Sequence, residues 1–297
     1  MPANLGDFLD QLSVQYNTSA AYSSGGVSPR AVTYHGLCQH ASSGAAFLQI
    51  HHVKKGDHVI LFAEPSADWM IAFFSILKAG AVVVPVPHLS SAQQLLEIAS
   101  LSQAKNILYS ARTAPTVHAA PSVALPNGLT ELLAFTGKKP PIQISADVIA
   151  IKTYSQNSTC VSPPIQLTHQ AILSALKELM SREPKNNEEI YLSLLPPHDL
   201  FELQVGQLSV LGRGGKIVFS TNLSPSAIPA VIREEKVTQM VFTADLMREI
   251  FNEATVSKFF GTPLKTISLP EIHFDAAIKE KLGSAGINVR SLADFGY

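Results

Sequence analysis

Short runs rich in β-branched residues, several of them continuously apolar, alternate with helical patterns along most of this chain. The runs lie at residues 58–62, 81–86, 106–109, 148–153, 190–195, 216–220 and 240–243. A strand that is apolar at every position is typical of a parallel sheet, because helices cover both of its faces. Strand, helix and strand at this spacing predict α/β architecture with right-handed crossovers.

Two of the intervening segments have a clear helical period. In residues 91–104, one stripe contains Leu95, Ile98, Ala99 and Ser102. Thr168 is placed to cap a second helix. The apolar residues of that helix follow a 3.6-residue period and are Ile172, Leu173, Leu176, Leu179 and Met180. Both segments are therefore expected to be amphipathic helices.

Residues 111–141 separate the chain into two parts. The prolines of this stretch are Pro115, Pro121, Pro126, Pro140 and Pro141. Proline with small and polar residues predicts a loop-rich connection, with at most one short helix at about 129–134. The sequence therefore predicts two consecutive α/β subdomains with mainly parallel sheets, at residues 1–145 and 146–297.

The charge content excludes some classes of function. Twenty-two basic and 23 acidic residues give a net charge of -1, which argues against a basic nucleic-acid footprint or a polybasic membrane surface. Only 15% of the residues are charged, against about 25% in a typical soluble domain. We therefore expect some apolar surface that a partner protein or a second copy covers.

Residues 69–87 are the most apolar stretch, but they do not resemble a membrane span. Lys78 and Gly80 interrupt the stretch and Pro85 and Pro87 end it, so a buried helix followed by a buried strand is predicted. Two cysteines without metal-type spacing predict neither a disulfide framework nor a metal site. With no leader pattern at the start of the chain, we expect a cytoplasmic protein.

The same region carries a family resemblance. Residues 53–59 (VKKGDHV) and 64–87 (EPSADWMIAFFSILKAGAVVVPVP), preceded by 32–34, resemble the adenylate-forming superfamily. That superfamily comprises acyl-CoA synthetases, fatty acyl-AMP ligases, nonribosomal adenylation domains and luciferases. The resemblance runs from about residue 30 to the last residue. It implies the first two α/β subdomains of such enzymes, with the family's β-barrel subdomain and mobile C-terminal domain absent.

Enzymes of this superfamily have a phosphate loop similar to Tyr-Thr-Ser-Gly-Ser-Thr-Gly-x-Pro-Lys-Gly-Val, followed shortly by Thr-His. Thr168-His169 matches the trailing pair, and counting back aligns residues 154–165 with the loop. The resemblance implies a remnant of the ATP-binding loop at Tyr154, Ser155, Ser158 and Thr159.

The loop departs from the family pattern at its glycine and lysine positions. Asn157, Cys160 and Pro164 stand where glycines belong, and Pro163 stands where the lysine belongs. Each proline removes an N–H donor and restricts the backbone. The lost cation would have made charge-assisted hydrogen bonds worth about 1.5–3 kcal/mol each. We therefore expect ATP to bind weakly or not at all.

Residues 195–202 (LPPHDLFE) resemble the Leu-Pro-x-x-His segment that lines the substrate pocket in the family, and also the Pro-Pro-His-His-Asp form of fatty acyl-AMP ligases. The resemblance implies pocket roles for His198, Asp199 and Phe201. Either His198 or Asp199 takes the place of the family histidine, one residue out of register in both alignments. The alternative is a simple turn between a strand and a helix at 201–211.

Two further motifs contact the nucleotide in the family. Where a Gly-Gly-Ala/Ser turn packs against adenine, this chain has residues 269–272 (LPEI). Phe295, Gly296 and Tyr297 match the first three positions of Tyr-Gly-x-Thr-Glu and are implied as a remnant adenylate motif. The Thr and Glu that contact AMP and Mg²⁺ in the family would follow Tyr297.

Residues 212–215 (GRGG) follow a predicted helix and precede a predicted strand. A dinucleotide-binding loop has the opposite order, so a turn at a helix C-terminus is expected. The chain also contains no G-x-S-x-G nucleophile elbow, and a serine hydrolase is not supported.

Two functions remain open. The first is a degenerate module that does not activate carboxylic acids alone and acts as a binding or docking domain. Its partner would be a carrier protein, a neighbouring assembly-line domain or a second copy, met through the truncated face. The alternative is part of an ATP-dependent carboxylic or fatty acid ligase that forms an acyl-adenylate, completed by another chain or a longer parent protein. Only this alternative requires ATP and Mg²⁺.

Overall fold

The computed structural model describes residues 2–24, 30–120, 125–138, 141–154, 156–157, 160–161, 164–181, 188–220, 224–252, 255–270 and 276–291. The chain divides into two compact units. One comprises Met1–Ser19 and Thr33–Lys177, and the other Ala20–Val32 and Glu178–Tyr297. These units describe how closely the chain packs and do not fix domain boundaries. The predicted subdomains at 1–145 and 146–297 stay a prediction.

The described strands, in chain order, are β1 (Ala20–Ser24), β2 (Arg30–Thr33), β3 (His58–Phe62), β4 (Val82–Pro85), β5 (Asn106–Tyr109), β6 (Leu125–Gly128), β7 (Ile149–Thr153), β8 (Gln156–Asn157), β9 (Cys160–Val161), β10 (Ile165–Thr168), β11 (Ile190–Ser193), β12 (Lys216–Phe219), β13 (Gln239–Val241), β14 (Thr266–Leu269) and β15 (Asn288–Ser291).

The described α-helices are α1 (Leu5–Tyr16), α2 (Tyr34–Ile50), α3 (Ala67–Lys78), α4 (Ala92–Ser102), α5 (Ala114–His118), α6 (Leu129–Ala134), α7 (His169–Ser181), α8 (Ser209–Arg213), α9 (Ile228–Glu235), α10 (Ala244–Ile250) and α11 (Ala276–Ser284). A π-helix spans Glu202–Leu208 and a 3-10 helix spans Val256–Phe259.

The sheet of the first unit has the strand order β10-β7-β4-β3-β5-β6. Its pairs are parallel except for β7 with β10. The central strands β3 and β4 are buried almost throughout, as their continuous apolar sequences predict. Apolar side chains from α4 and α5 pack on one face of this sheet.

The sheet of the second unit has the order β15-β14-β13-β11-β12-β1-β2. The strands from β15 through to β1 pair in parallel. β1 comes from the beginning of the chain and joins β12, with Tyr22 opposite Ile217. Helices α9, α10 and α11 supply apolar residues to a core that also contains Leu192, Val218 and Met240.

Local sequence signals account for several helix ends. The predicted stripe of α4 is the buried face of that helix. Thr168 accepts a hydrogen bond from the backbone N–H of Ala171 at the start of α7 (3.1 Å), which confirms the predicted cap. Gly214 follows α8 with φ at +88°, a conformation that favours glycine.

The most apolar stretch of the sequence forms α3 and β4, as predicted. Trp69 and Phe73 stack inside the first unit with ring centroids 5.5 Å apart. In the part of the chain that the structure describes, no helix is both long enough and apolar enough to cross a membrane.

The expectation of at most one short helix in residues 111–141 is wrong. This stretch contains α5 and β6 as well as α6. Pro115 lies in the first turn of α5, where a backbone N–H has no helical partner to lose. Pro126 lies on β6, the edge strand beside β5, where proline is tolerated. Both prolines therefore fit regular structure here.

Candidate functional site

The carboxyl end of β11 is the candidate functional site of the second unit. β11 lies between β12, which follows it in the chain, and β13, which follows β12. The chain therefore adds β12 on one side of β11 and β13 on the other, so the strand order reverses at β11. Open parallel sheets bind ligands in the crevice outside the carboxyl ends of their strands at such a point. The predicted pocket segment, residues 195–202, follows β11 directly.

The predicted pocket residues lie together at this end of the sheet. His198, Asp199 and Phe201 are all half-buried. The carboxylate of Asp199 accepts hydrogen bonds from the backbone N–H groups of Phe201 (2.7 Å) and Glu202 (3.2 Å). Asp199 therefore caps the helical segment that follows, and a role in a ligand pocket stays a prediction.

Removing this cap gives a direct test of its structural role. We expect Asp199→Ala to lower the free energy of unfolding by about 1 kcal/mol, because two backbone donors lose their acceptor. Asp199→Asn keeps a side-chain oxygen at the cap and should cost less. Urea denaturation followed by circular dichroism measures both variants. Equal losses in the two variants would contradict a capping role.

A buried carboxylate stands next to this turn. Glu202 has no exposed surface. Its carboxylate accepts hydrogen bonds from the hydroxyls of Tyr191 and Ser193 and from the side-chain amide of Gln207. The distances from Glu202 Oε1 are 2.7 Å to Ser193 Oγ and 3.1 Å to Gln207 Nε2. We call these four residues the Glu202 network.

Burial changes the acid–base properties of this network. Desolvation raises the pKa of Glu202 to about 7, although the three donors favour its charged form; Asp199 adds a smaller upward contribution. Burial and the neighbouring carboxylate also raise the pKa of Tyr191. Glu202 can therefore gain or lose a proton near neutral pH, which is the property required of a general acid or base.

Gly206 makes room for the network. A Cβ atom at this position would overlap the Tyr191 hydroxyl and would lie 2.9 Å from Glu202 Oε2. The glycine lies in the π-helix, a rare helical form that is frequent at functional sites. The close approach of Tyr191 to the helix backbone therefore requires glycine at this position.

The family motif pointed to this turn but not to the Glu202 network. The sequence signal for this network is the presence of a Glu, two Gln and a Ser in the mostly apolar segment 202–211. The hydroxyl groups that bond to Glu202 come from β11, nine to eleven residues before Glu202 in the chain.

The predicted phosphate-loop remnant lies in the first unit, between the antiparallel strands β7 and β10. Its first residue, Tyr154, is buried in the core of this unit. The Tyr154 hydroxyl has no hydrogen-bond partner among the described residues. Ser155, Ser158 and Thr159 lie outside the described residues.

The pair that follows the loop has a structural role in this chain. His169 is buried, and its Nδ1 accepts the backbone N–H of Leu5 at 3.2 Å. Desolvation lowers the pKa of His169 to about 4, against a smaller opposing effect of Asp7. The imidazole is therefore neutral at neutral pH and connects the start of α7 with the start of α1.

The other predicted nucleotide contacts cannot be placed. Phe295, Gly296 and Tyr297 lie outside the described residues, as do residues 271–272 of the segment expected near adenine. Within the described ranges, no group of three or more His, Cys, Asp or Glu side chains is arranged to hold a metal ion.

The chain is similar in sequence to much longer synthases and synthetases. Residues 10–286 match the family described as AMP-binding enzyme. The chain is 26% identical over 280 residues to the polyketide synthase PksN of Bacillus subtilis (strain 168), covering 88% of this chain and 5% of that protein. It is also 28% identical over 242 residues to the AM-toxin synthetase AMT1 of Alternaria alternata, covering 78% of this chain and 6% of that protein.

The fold is also found among solved structures. The N-terminal domain of FACL13 from Mycobacterium tuberculosis matches with a TM-score of 0.86 at 20% sequence identity, over 97% of this chain and 75% of that chain. At this identity the likeness shows the fold, and a shared fold does not by itself carry function.

Proposed function

Because the chain belongs to the AMP-binding enzyme family, we propose that it is a degenerate module of an adenylate-forming enzyme. The module does not activate carboxylic acids alone; it acts as a binding or docking domain beside the neighbouring domains of an assembly line. The observation that carries this proposal is the composition of residues 154–165, in which Pro163 and Pro164 replace the lysine and a glycine of the phosphate loop.

The backbone of this segment supports the same conclusion. β8 and β9 form a short antiparallel ladder in which Gln156 pairs with Val161 and Asn157 with Cys160. A backbone N–H group that bonds within a ladder is not available to a phosphate oxygen. The buried Tyr154 side chain contacts the apolar core of its unit, which also supports a segment that serves the fold rather than ATP.

A second candidate is part of an active ligase that forms an acyl-adenylate from a carboxylic acid and ATP. The match to the AMP-binding enzyme family and the names of the similar synthase and synthetase favour it. The chain spans 5% and 6% of those two proteins, so the ligase would be completed by another chain or a longer parent protein. It would use ATP and Mg²⁺, and pyrophosphate exchange with a panel of carboxylic acids tests it.

The degenerate-loop proposal predicts a gain of ATP binding on repair. The repaired variant carries Asn157→Gly, Cys160→Gly, Pro163→Lys and Pro164→Gly. We expect its affinity for ATP with Mg²⁺ to rise at least tenfold, because one charge-assisted hydrogen bond contributes about 1.5–3 kcal/mol. Isothermal titration calorimetry measures the affinity of both chains.

The matched control is the double variant Pro163→Ala and Pro164→Ala, which removes the proline restraints but supplies neither the cation nor a glycine. We expect it to bind ATP no better than the unaltered chain. Micromolar affinity of the unaltered chain for ATP would contradict the proposal, and pyrophosphate exchange by that chain would favour the ligase.

A further inference from the structure

The first unit contains a cavity of about 270 Å³ that is separate from the predicted phosphate loop. Its walls are α1 with the preceding Asn4, α2, Lys78 at the end of α3, and residues 141–144. Lys78 precedes β4, and residues 141–144 precede β7. The cavity therefore lies toward the amino ends of these strands, whereas the crevice of a parallel sheet lies at the carboxyl ends.

The cavity has more carboxylates than ammonium groups. Asp7, Asp10 and Lys78 all line it. The Lys78 ammonium is only 12% exposed and lies 2.5 Å from Asp10 Oδ1, so it neutralises that carboxylate. Asp7 Oδ2 accepts a hydrogen bond from Asn4 Nδ2 at 2.9 Å. Among the described residues, no cation forms a salt bridge with Asp7.

The neighbouring titratable groups do not supply the missing charge. The charge of Asp7 acts on His169, but desolvation lowers the pKa of His169 to about 4 and the imidazole is neutral at neutral pH. Lys55 is not a lining residue; its Nζ donates to the carbonyl of Gln143 at 2.9 Å. The N-terminus of α1 offsets part of the charge of Asp7. Within the described ranges, the Asp7 carboxylate therefore has no cationic side chain of its own.

Apart from the polar Ser42 and Gln49, most of the remaining lining suits a small apolar group. Ala45 and Ala46 form part of the α2 wall and are 5% and 2% exposed. Pro141, Ile142 and Ile144 also line the cavity. The volume is slightly below the roughly 300–1,000 Å³ of pockets for drug-sized ligands, which favours a ligand with only a few carbon atoms.

We propose that this cavity binds a small organic cation, a primary alkylammonium ion. The ammonium group donates to Asp7 in this arrangement, and the alkyl group lies against the alanine and isoleucine side chains. A charge-assisted hydrogen bond from an ammonium to a carboxylate is about twice as strong as a neutral one. The charges of the cavity then balance without displacing Lys78 from Asp10.

The test uses butylammonium chloride as the probe and butanol as the neutral probe of the same shape. We expect butylammonium to cause saturable NMR chemical-shift changes confined to the cavity walls, and butanol to bind at least tenfold more weakly. Asp7→Asn keeps an acceptor for Asn4 and should weaken butylammonium binding about 10- to 100-fold. The exposed control Asp245→Asn should leave it unchanged.

A second variant tests the space rather than the charge. Ala46→Leu fills the cavity while keeping Asp7, and it should abolish the shifts if the alkyl group occupies that wall. Circular dichroism establishes that each variant is folded. Absence of saturable shifts in the unaltered chain, or equal binding of butanol, would overturn the proposal. These two measurements on the unaltered chain use neither a variant nor ATP. Their outcome is therefore independent of whether the phosphate loop binds ATP.

Discussion

Arg213→Ala is expected to lower the free energy of unfolding by about 3–5 kcal/mol. Arg213 is 2% exposed and forms two hydrogen bonds with Glu189, from Nε to Oε2 at 2.8 Å and from Nη2 to Oε1 at 2.6 Å. The pair joins the end of α8 to the residue before β11. Without the guanidinium, the Glu189 carboxylate stays buried without its charge partner, which causes most of the loss.

Urea denaturation followed by far-ultraviolet circular dichroism measures this effect. The exposed pair of Arg248 with Asp245 (2.6 Å) provides the control. Arg248→Ala should cost no more than about 0.5 kcal/mol, because solvent screens an exposed ion pair. Similar losses of unfolding free energy in the two variants would contradict a large stabilising contribution from the buried pair.

Glu202→Gln is expected to change how stability depends on pH. The pKa of Glu202 is raised to about 7 in the folded chain, against 4.5 for an unperturbed Glu. Its contribution to stability is therefore fully present below pH 4.5 and is lost as pH rises through 7. Between pH 5 and pH 8 the unaltered chain should lose about 2–3 kcal/mol more stability than Glu202→Gln.

The measurement is a pair of urea denaturation curves, at pH 5 and pH 8, for each protein. Glu249→Gln, a change at an exposed carboxylate, controls for the loss of one negative charge and should follow the unaltered chain. The same pH dependence in all three proteins would mean that Glu202 does not titrate near neutral pH.

The layered α/β architecture could be predicted because its signals are local. The strands β3 and β5 coincide with the predicted apolar runs at 58–62 and 106–109. The stripe of α4 and the cap of α7 each depend on side chains within a few residues of one another. The hydrophobic period and the capping side chain are properties of a short segment, so both can be recognised without knowledge of the rest of the fold.

The connection at 111–141 shows where local signals mislead. Its prolines predict loop, yet Pro115 and Pro126 occupy positions that regular structure tolerates, at a helix start and on an edge strand. Proline has no backbone N–H group, so it interrupts a strand only where a neighbouring strand needs that hydrogen-bond donor. That information is tertiary, and the short segment does not contain it.

Some residues of the candidate site could be predicted from the sequence and others could not. The resemblance identified the turn that contains His198 and Asp199, because the motif is contiguous. Glu202 was missed because its partners are Tyr191 and Ser193, on a strand that precedes the turn. A buried carboxylate becomes noticeable only when packing removes its water and brings hydroxyl donors to it.

The sequence alone determined the alternation of strands and helices and the family, because each depends on residue types at fixed spacing. Only the tertiary structure decided that β1 joins the second sheet, that Arg213 meets Glu189, and that Glu202 is enclosed by hydroxyl and amide donors. The physical reason is distance along the chain. Periodicity and capping act within a turn or two, whereas strand order and buried polar contacts are set when the fold brings separate elements together.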